Sequence, residues 1–256
     1  MIIIQGFIMM DLLSWSDLFI CLLTLFFAYV IFGMAGFGSA LIAGPVLALY
    51  LPLSMIVPLL ALIDLSAAIV NVLRDGKQAD FKEIRYLIPL IIIGSLVGAT
   101  ILLTTRPDLL SLLLGIFATC YAIYALFWKK QESQFSQRLV YPFGLIGGVF
   151  SALFGSGGFL YAIYLSGRIA DKNKFRITQT TLIGFSTLTR VVIFLFAGIY
   201  WQLALLKLAV IFLPAMFAGV WLGRNLTLRM SKARFMSVIY TIVLASGTVL
   251  IYRYFS

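Results

Sequence analysis

The sequence predicts an all-α integral membrane protein with two inverted-topology repeats, and three observations support this. They are an apolar composition, a glycine-rich break that occurs twice, and basic residues confined to a few loops. The 256 residues are 62% hydrophobic and 11% charged, with a mean hydropathy of +1.09, whereas a soluble domain carries about 25% charged residues. Several apolar runs are long enough to cross a hydrocarbon core of about 30 Å. We therefore expect a multi-pass protein of the cell (inner) membrane.

Two glycine clusters interrupt the apolar runs. The first lies in residues 33–45 and the second in residues 147–158. A loosened backbone inside a bilayer persists only where it is buried in protein or lines a polar cavity. Each cluster is therefore predicted to be the tip of a re-entrant helical hairpin, over residues 15–50 in the first half and 139–166 in the second.

The rest of each half consists of three predicted transmembrane helices. The halves are residues 1–128 and 139–256, and residues 129–138 form a cytoplasmic linker between them. Three crossings per half is an odd number, so the second half is inserted upside down, as in many secondary transporters. The expected spans are 53–72, 86–103 and 109–128 in the first repeat, and 178–197, 201–222 and 235–254 in the second.

The basic residues indicate the orientation. Fifteen of the nineteen Lys and Arg residues lie in the loops 73–85, 129–138, 167–176 and 223–234. The positive-inside rule places these loops in the cytoplasm and both termini outside. The second hairpin lies between two of these loops, so it enters and leaves the membrane on one face. The net charge of +10 is therefore explained by topology, and we expect no nucleic-acid partner.

The segment after each glycine break starts with backbone N–H groups that have no partner within its helix. Such a helix start attracts an oxyanion. The alternative is that the glycines only allow close helix packing, but two breaks at matching places favour a binding site. The predicted substrate-binding residues at the breaks are Gly36, Phe37, Gly38, Ser39, Gly155, Ser156, Gly157 and Gly158.

Two charged residues lie deep inside predicted spans, where charges are costly and usually functional. Arg190 is the thirteenth residue of the span that begins at Thr178, and its guanidinium is the best candidate for binding an anion. Asp64 is the twelfth residue of the span 53–72. Because the chain has no His, Asp64 is also the most obvious proton carrier. The sequence leaves open whether Asp64 carries protons or only neutralises Arg190.

The two glycine motifs, together with Lys174-Phe175-Arg176-Ile177-Thr178 after the second hairpin, resemble the TauE/SafE sulfite exporter family, also called the TSUP family. The resemblance covers essentially the whole chain. It implies export or uptake of sulfite, an organosulfonate or a similar small organic anion. The chain departs from the family pattern at Ser39, Phe159 and Tyr164, where many members carry further Gly or Pro.

The predicted function is a secondary transporter of such an anion, with proton coupling as an addition and an anion channel as the alternative. Neither a catalytic constellation nor a nucleotide-binding loop is recognisable, so we expect no enzyme, no ATP-driven pump, no cofactor and no metal. The expected partners are a small anionic substrate and the lipid bilayer. The oligomeric state is open, with a homodimer as one alternative.

Overall fold

A computed structural model describes residues 14–35, 38–75, 78–127, 135–225 and 232–255. This part of the chain is helical throughout, with short turns and no strand, which confirms the all-α part of the predicted fold class. Seven of its helical segments are long and apolar enough to cross a membrane. Gly36 and Phe37, two of the predicted binding residues, lie outside the described residues.

Ten α-helices follow one another along the described part of the chain. They are α1 (Trp15–Ala35), α2 (Ser39–Leu47), α3 (Leu53–Asp75), α4 (Phe81–Thr104), α5 (Pro107–Phe127), α6 (Val140–Phe154), α7 (Gly158–Ser166), α8 (Lys172–Phe196), α9 (Leu203–Asn225) and α10 (Lys232–Phe255). Six of the membrane-length segments lie in α1, α3, α4, α5, α8 and α9, and the seventh combines α6 with the 3-10 turn Gln137–Leu139 before it. By contrast, α2 and α7 have nine residues each, about 14 Å of helix, which is too short to cross.

The glycine breaks separate α1 from α2 and α6 from α7. Gly38 precedes α2 with φ +101°, and Gly155 follows α6 with φ +71°. Both values lie in the left-handed region, which glycine adopts without steric cost. Among the described residues the only other positive φ is at Gly198. Glycine at each of these two positions therefore allows a backbone conformation that other residues rarely adopt.

Four pairs of helices pack along each other: α6 on α4, α1 on α9, α3 on α8, and α5 on α10. Glycines bring the backbones together in the first two pairs. A Cβ added at Gly148 in α6 would lie 2.5 Å from the carbonyl oxygen of Ile91 in α4, and one at Gly219 in α9 would lie 2.5 Å from that of Phe26 in α1. Small residues allow such contact between membrane helices, where no hydrophobic effect drives association.

Polar contacts fix the end of α7 that lies away from the break. Arg168 donates from Nε and Nη2 to one oxygen of Glu83, at 3.0 and 2.7 Å, and the Tyr164 hydroxyl donates to the other oxygen at 2.8 Å. Nearby, Lys174 pairs with Asp80 at 2.8 Å. The hydrogen bond from Lys174 lowers the pKa of the Asp80 carboxyl. These contacts join the end of α7 to the start of α4, and the start of α4 to that of α8.

We predict that Gly148→Ala destabilises the fold because the new methyl group meets the α4 backbone, which cannot move aside as a side chain can. The expected loss is about 1–3 kcal/mol, the usual cost of overpacking, read as a lower midpoint of thermal unfolding in detergent. Gly44→Ala in α2 is the matched control, since a Cβ at Gly44 meets nothing within 4 Å. Equal midpoints for the two variants would show that the α4–α6 contact is looser than described.

Candidate functional site

The two glycine breaks meet inside the protein. Gly155 approaches α2 so closely that a Cβ on it would lie 2.8 Å from the Cβ of Ala40. A cavity of about 20 Å³ lies at this junction, which is room for about one water molecule. Seven of the residues predicted from the sequence line the cavity, namely Gly38, Ser39, Asp64, Gly155, Ser156, Gly158 and Arg190.

Gly157 is placed differently from the other predicted residues. It is not part of the cavity wall but packs against α6, where an added Cβ would lie 2.7 Å from the Cβ of Ser151 and would also meet the carbonyl oxygen of Gly147. Its missing side chain thus serves close packing. The two explanations of the glycines, packing and site, apply to different residues of the same break.

Asp64 is held by three donors. Its Oδ1 accepts from the hydroxyls of Tyr29 and Ser39, both at 2.7 Å, and its Oδ2 lies 3.4 Å from Nη2 of Arg190. The side chain is buried, with 2% of its surface exposed. The pairing of Asp64 with Arg190, which the sequence left open, is therefore present. The Ser39 hydroxyl serves Asp64 in this conformation and is not free for a ligand.

Arg190 is as deeply buried as Asp64, but only some of its N–H groups donate hydrogen bonds. A guanidinium has five N–H donors, and the two on Nη2 face Asp64 and the Thr187 hydroxyl, the latter at 3.0 Å. Neither Nε nor Nη1 has an acceptor within the described part of the chain. Nη1 lies at the second break, 3.2 Å from where a Cβ on Gly155 would stand. Three N–H groups of this buried cation therefore have no acceptor among the described residues.

The start of α7 adds more unused donors. The backbone N–H groups of Gly158 and Phe159 have no acceptor among the described residues, and neither does the buried hydroxyl of Ser156. The first turn of a helix also carries the positive end of its dipole. Gln179 in α8 donates to the carbonyl oxygen of Gly158 at 2.6 Å and so holds this turn in place. The cavity therefore has more donors than acceptors, an arrangement suited to binding an anion.

Several polar residues at the cavity were not singled out from the sequence. Ser186 and Thr187 line it from α8, and Ser151 and Tyr161 line it from α6 and α7, while Tyr29 reaches Asp64 from α1. The sequence could have indicated the α8 residues, because Ser186 precedes Arg190 by four positions and so lies on the same helix face. The sequence gives no such indication for Tyr29 and Tyr161, since a tyrosine in a membrane helix is more often a packing or interfacial residue.

The chain matches one family in a comparison with protein-family models. The model of the family described as Sulfite exporter TauE/SafE matches residues 21–250, nearly the whole chain and every helix around the cavity. The chain belongs to the sulfite exporter TauE/SafE family. No curated protein and no solved structure matches it. Family membership and the apolar helices together support a multi-pass membrane transporter, whose partners are a lipid bilayer and a small substrate.

We predict that Asp64→Asn destabilises this TauE/SafE protein by about 3–5 kcal/mol, because it leaves the charge of Arg190 buried without a counter-charge. Removing both charges, with Asp64→Asn and Arg190→Gln together, should cost less than the sum of the single changes. Thermal unfolding of the four proteins in one detergent gives this coupling. Strictly additive losses would mean that the contact at 3.4 Å is not an effective ion pair.

Proposed function

We propose that this TauE/SafE protein is a secondary transporter of a small organic or sulfur-containing anion, such as sulfite or an organosulfonate. The anion binds between the two glycine breaks, at Arg190 and the start of α7. The observation that carries this proposal is the set of buried side-chain donors on Arg190 and Ser156 that have no acceptor among the described residues, beside the unbonded backbone N–H groups of Gly158 and Phe159. Leaving buried donors unpaired is costly, and an oxyanion supplies several acceptor oxygens at once.

Asp64 couples anion binding to a proton in this proposal. In the described conformation Asp64 and Arg190 neutralise each other at 3.4 Å. An anion beside Arg190 would place two negative charges around one guanidinium in a medium that screens them poorly. Protonation of Asp64 removes this repulsion, and the single O–H of the acid can then donate to the hydroxyl of Tyr29 or of Ser39. One proton would accompany each anion.

The helix packing supports two structurally related halves. In this proposal the halves move against each other during transport. Exchanging the halves converts the α1–α9 contact into the α6–α4 contact, while α3–α8 and α5–α10 are each converted into themselves. The short helices α2 and α7 fit hairpins that return to the face they entered. The inverted topology, the repeats at 1–128 and 139–256, the cytoplasmic basic loops and the cell-membrane location remain part of this proposal.

The size of the cavity favours a carrier over a channel. A cavity with room for about one water molecule is too small to conduct a continuous stream of ions. The halves must therefore separate to admit and release the anion. A carrier exchanges unlabelled anion on one side for labelled anion on the other. Counterflow of labelled sulfite in proteoliposomes is therefore expected, and fluxes far above carrier rates without counterflow would favour the channel.

We predict that Arg190→Gln lowers sulfite flux into proteoliposomes by about tenfold or more, because hydrogen bonds from a charged donor to an anion are worth about 1.5–3 kcal/mol each. Arg106→Gln, at an exposed residue between α4 and α5, removes the same charge without touching the cavity and should keep its flux. Both proteins are compared at equal amounts of folded material. Undiminished flux in Arg190→Gln would reject the binding role of Arg190.

We predict that Asp64→Asn makes anion flux insensitive to a pH gradient, because the amide cannot take up or release the proton that accompanies the anion. In the unaltered protein an imposed pH gradient should drive anion accumulation. The measurement is flux into proteoliposomes with equal and with unequal pH on the two sides. A variant that still accumulates anion in response to the gradient would remove Asp64 from the coupling step but leave the anion site intact.

A further inference from the structure

Three hydroxyl groups form a row on the cavity wall next to Arg190. The Ser186 hydroxyl lies at its centre, 2.9 Å from that of Ser151 and 3.4 Å from that of Tyr161. All three residues line the cavity, and none has more than 3% of its surface exposed. The row joins α6, α7 and α8, the three helices around the second break.

The three hydroxyls have one O–H donor more than the hydrogen bonds between them require. Each hydroxyl has one O–H donor, so three hydroxyls have three protons, but only two hydrogen bonds join them. Within the described part of the chain no other acceptor contacts these groups. One buried O–H is therefore left without an acceptor, in addition to the unused donors of Arg190 and Ser156.

The position of Ser186 allows its hydroxyl to donate this unused proton to a ligand beside Arg190. Ser186 precedes Arg190 by four residues on α8, so the hydroxyl and the guanidinium share one face of the helix, about one turn apart. If Ser151 and Tyr161 both donate to Ser186, the two lone pairs of the Ser186 oxygen are filled. The Ser186 proton is then directed to a ligand held by Arg190.

We propose that Ser186 is a specificity-determining residue, whose hydroxyl donates to an oxygen of the bound anion while Ser151 and Tyr161 orient it. This inference rests on the proposed anion site and deepens it. The site then recognises an oxyanion on two sides, with charged donors from Arg190 on one and a neutral donor on the other. Anions with at least two well-separated acceptor oxygens satisfy both sides.

Binding of sulfite to the purified full-length protein tests this inference. Ser186→Ala should raise the Kd about tenfold or more, as expected for one lost hydrogen bond to a charged group. Ser186→Cys places a somewhat larger sulfur at the same position and offers only a weak donor, so it should also lose affinity. It provides a second measurement if the alanine variant does not fold. Ser151→Ala and Tyr161→Phe remove only orienting bonds and should have smaller effects.

Ser95→Ala is the matched control. Ser95 is fully buried in α4, donates to the carbonyl oxygen of Gly148 at 3.3 Å, and does not line the cavity, so its loss should leave the Kd unchanged. Losses in Ser186→Ala and Ser186→Cys no larger than in Ser95→Ala overturn the inference, as does a larger loss in Ser151→Ala or Tyr161→Phe. Full sulfite affinity in Arg190→Gln would instead reject the anion site itself.

Discussion

The buried contact between Asp64 and Arg190 determines how the rest of this structure is arranged. One charge comes from α3 and the other from α8, so the pair joins the two halves of the chain at their centre. A single charge of this kind costs about 2.5–3.5 kcal/mol in the middle of a membrane helix, and pairing removes much of that cost. The pair leaves part of Arg190 unused, however, because three of its N–H groups have no acceptor in the part of the chain that the structure describes. The structure therefore stabilises the guanidinium in the membrane and leaves it able to bind a further acceptor.

The glycine breaks make this arrangement sterically feasible. A side chain at Gly155 would meet both Ala40 and Nη1 of Arg190, so the two hairpins could not approach and the guanidinium could not reach the start of α7. Close packing of α6 on α4 and of α1 on α9 holds the two helices that lead into the breaks. Packing and binding are thus two consequences of the same small residues, and the polar contacts at Glu83 and Arg168 hold the far end of α7 in place.

Much of this could be predicted from the sequence, because the signals were local. Apolar runs predicted the helices. Asp64 and Arg190 were singled out as candidate functional residues because they are charged and lie inside those runs. Contacts between distant segments were not accessible in this way. Glu83 was counted with a cytoplasmic loop, although it lies in the first turn of α4 and binds Arg168, a partner 85 positions away. Likewise, the hydroxyl row depends on how α6, α7 and α8 are rotated about their axes, which apolar periodicity does not fix when a helix is apolar on nearly every face.

The most direct test of the central claim is to locate a bound oxyanion. Selenite resembles sulfite and scatters X-rays anomalously at the selenium edge, so crystals grown with selenite reveal its position independently of the protein map. Our account predicts one anomalous peak at the junction of the breaks, with selenite oxygens in hydrogen-bond reach of Arg190 and of the backbone N–H groups at the start of α7. A peak elsewhere in the protein, with Arg190 contacting only Asp64 and Thr187, would contradict it.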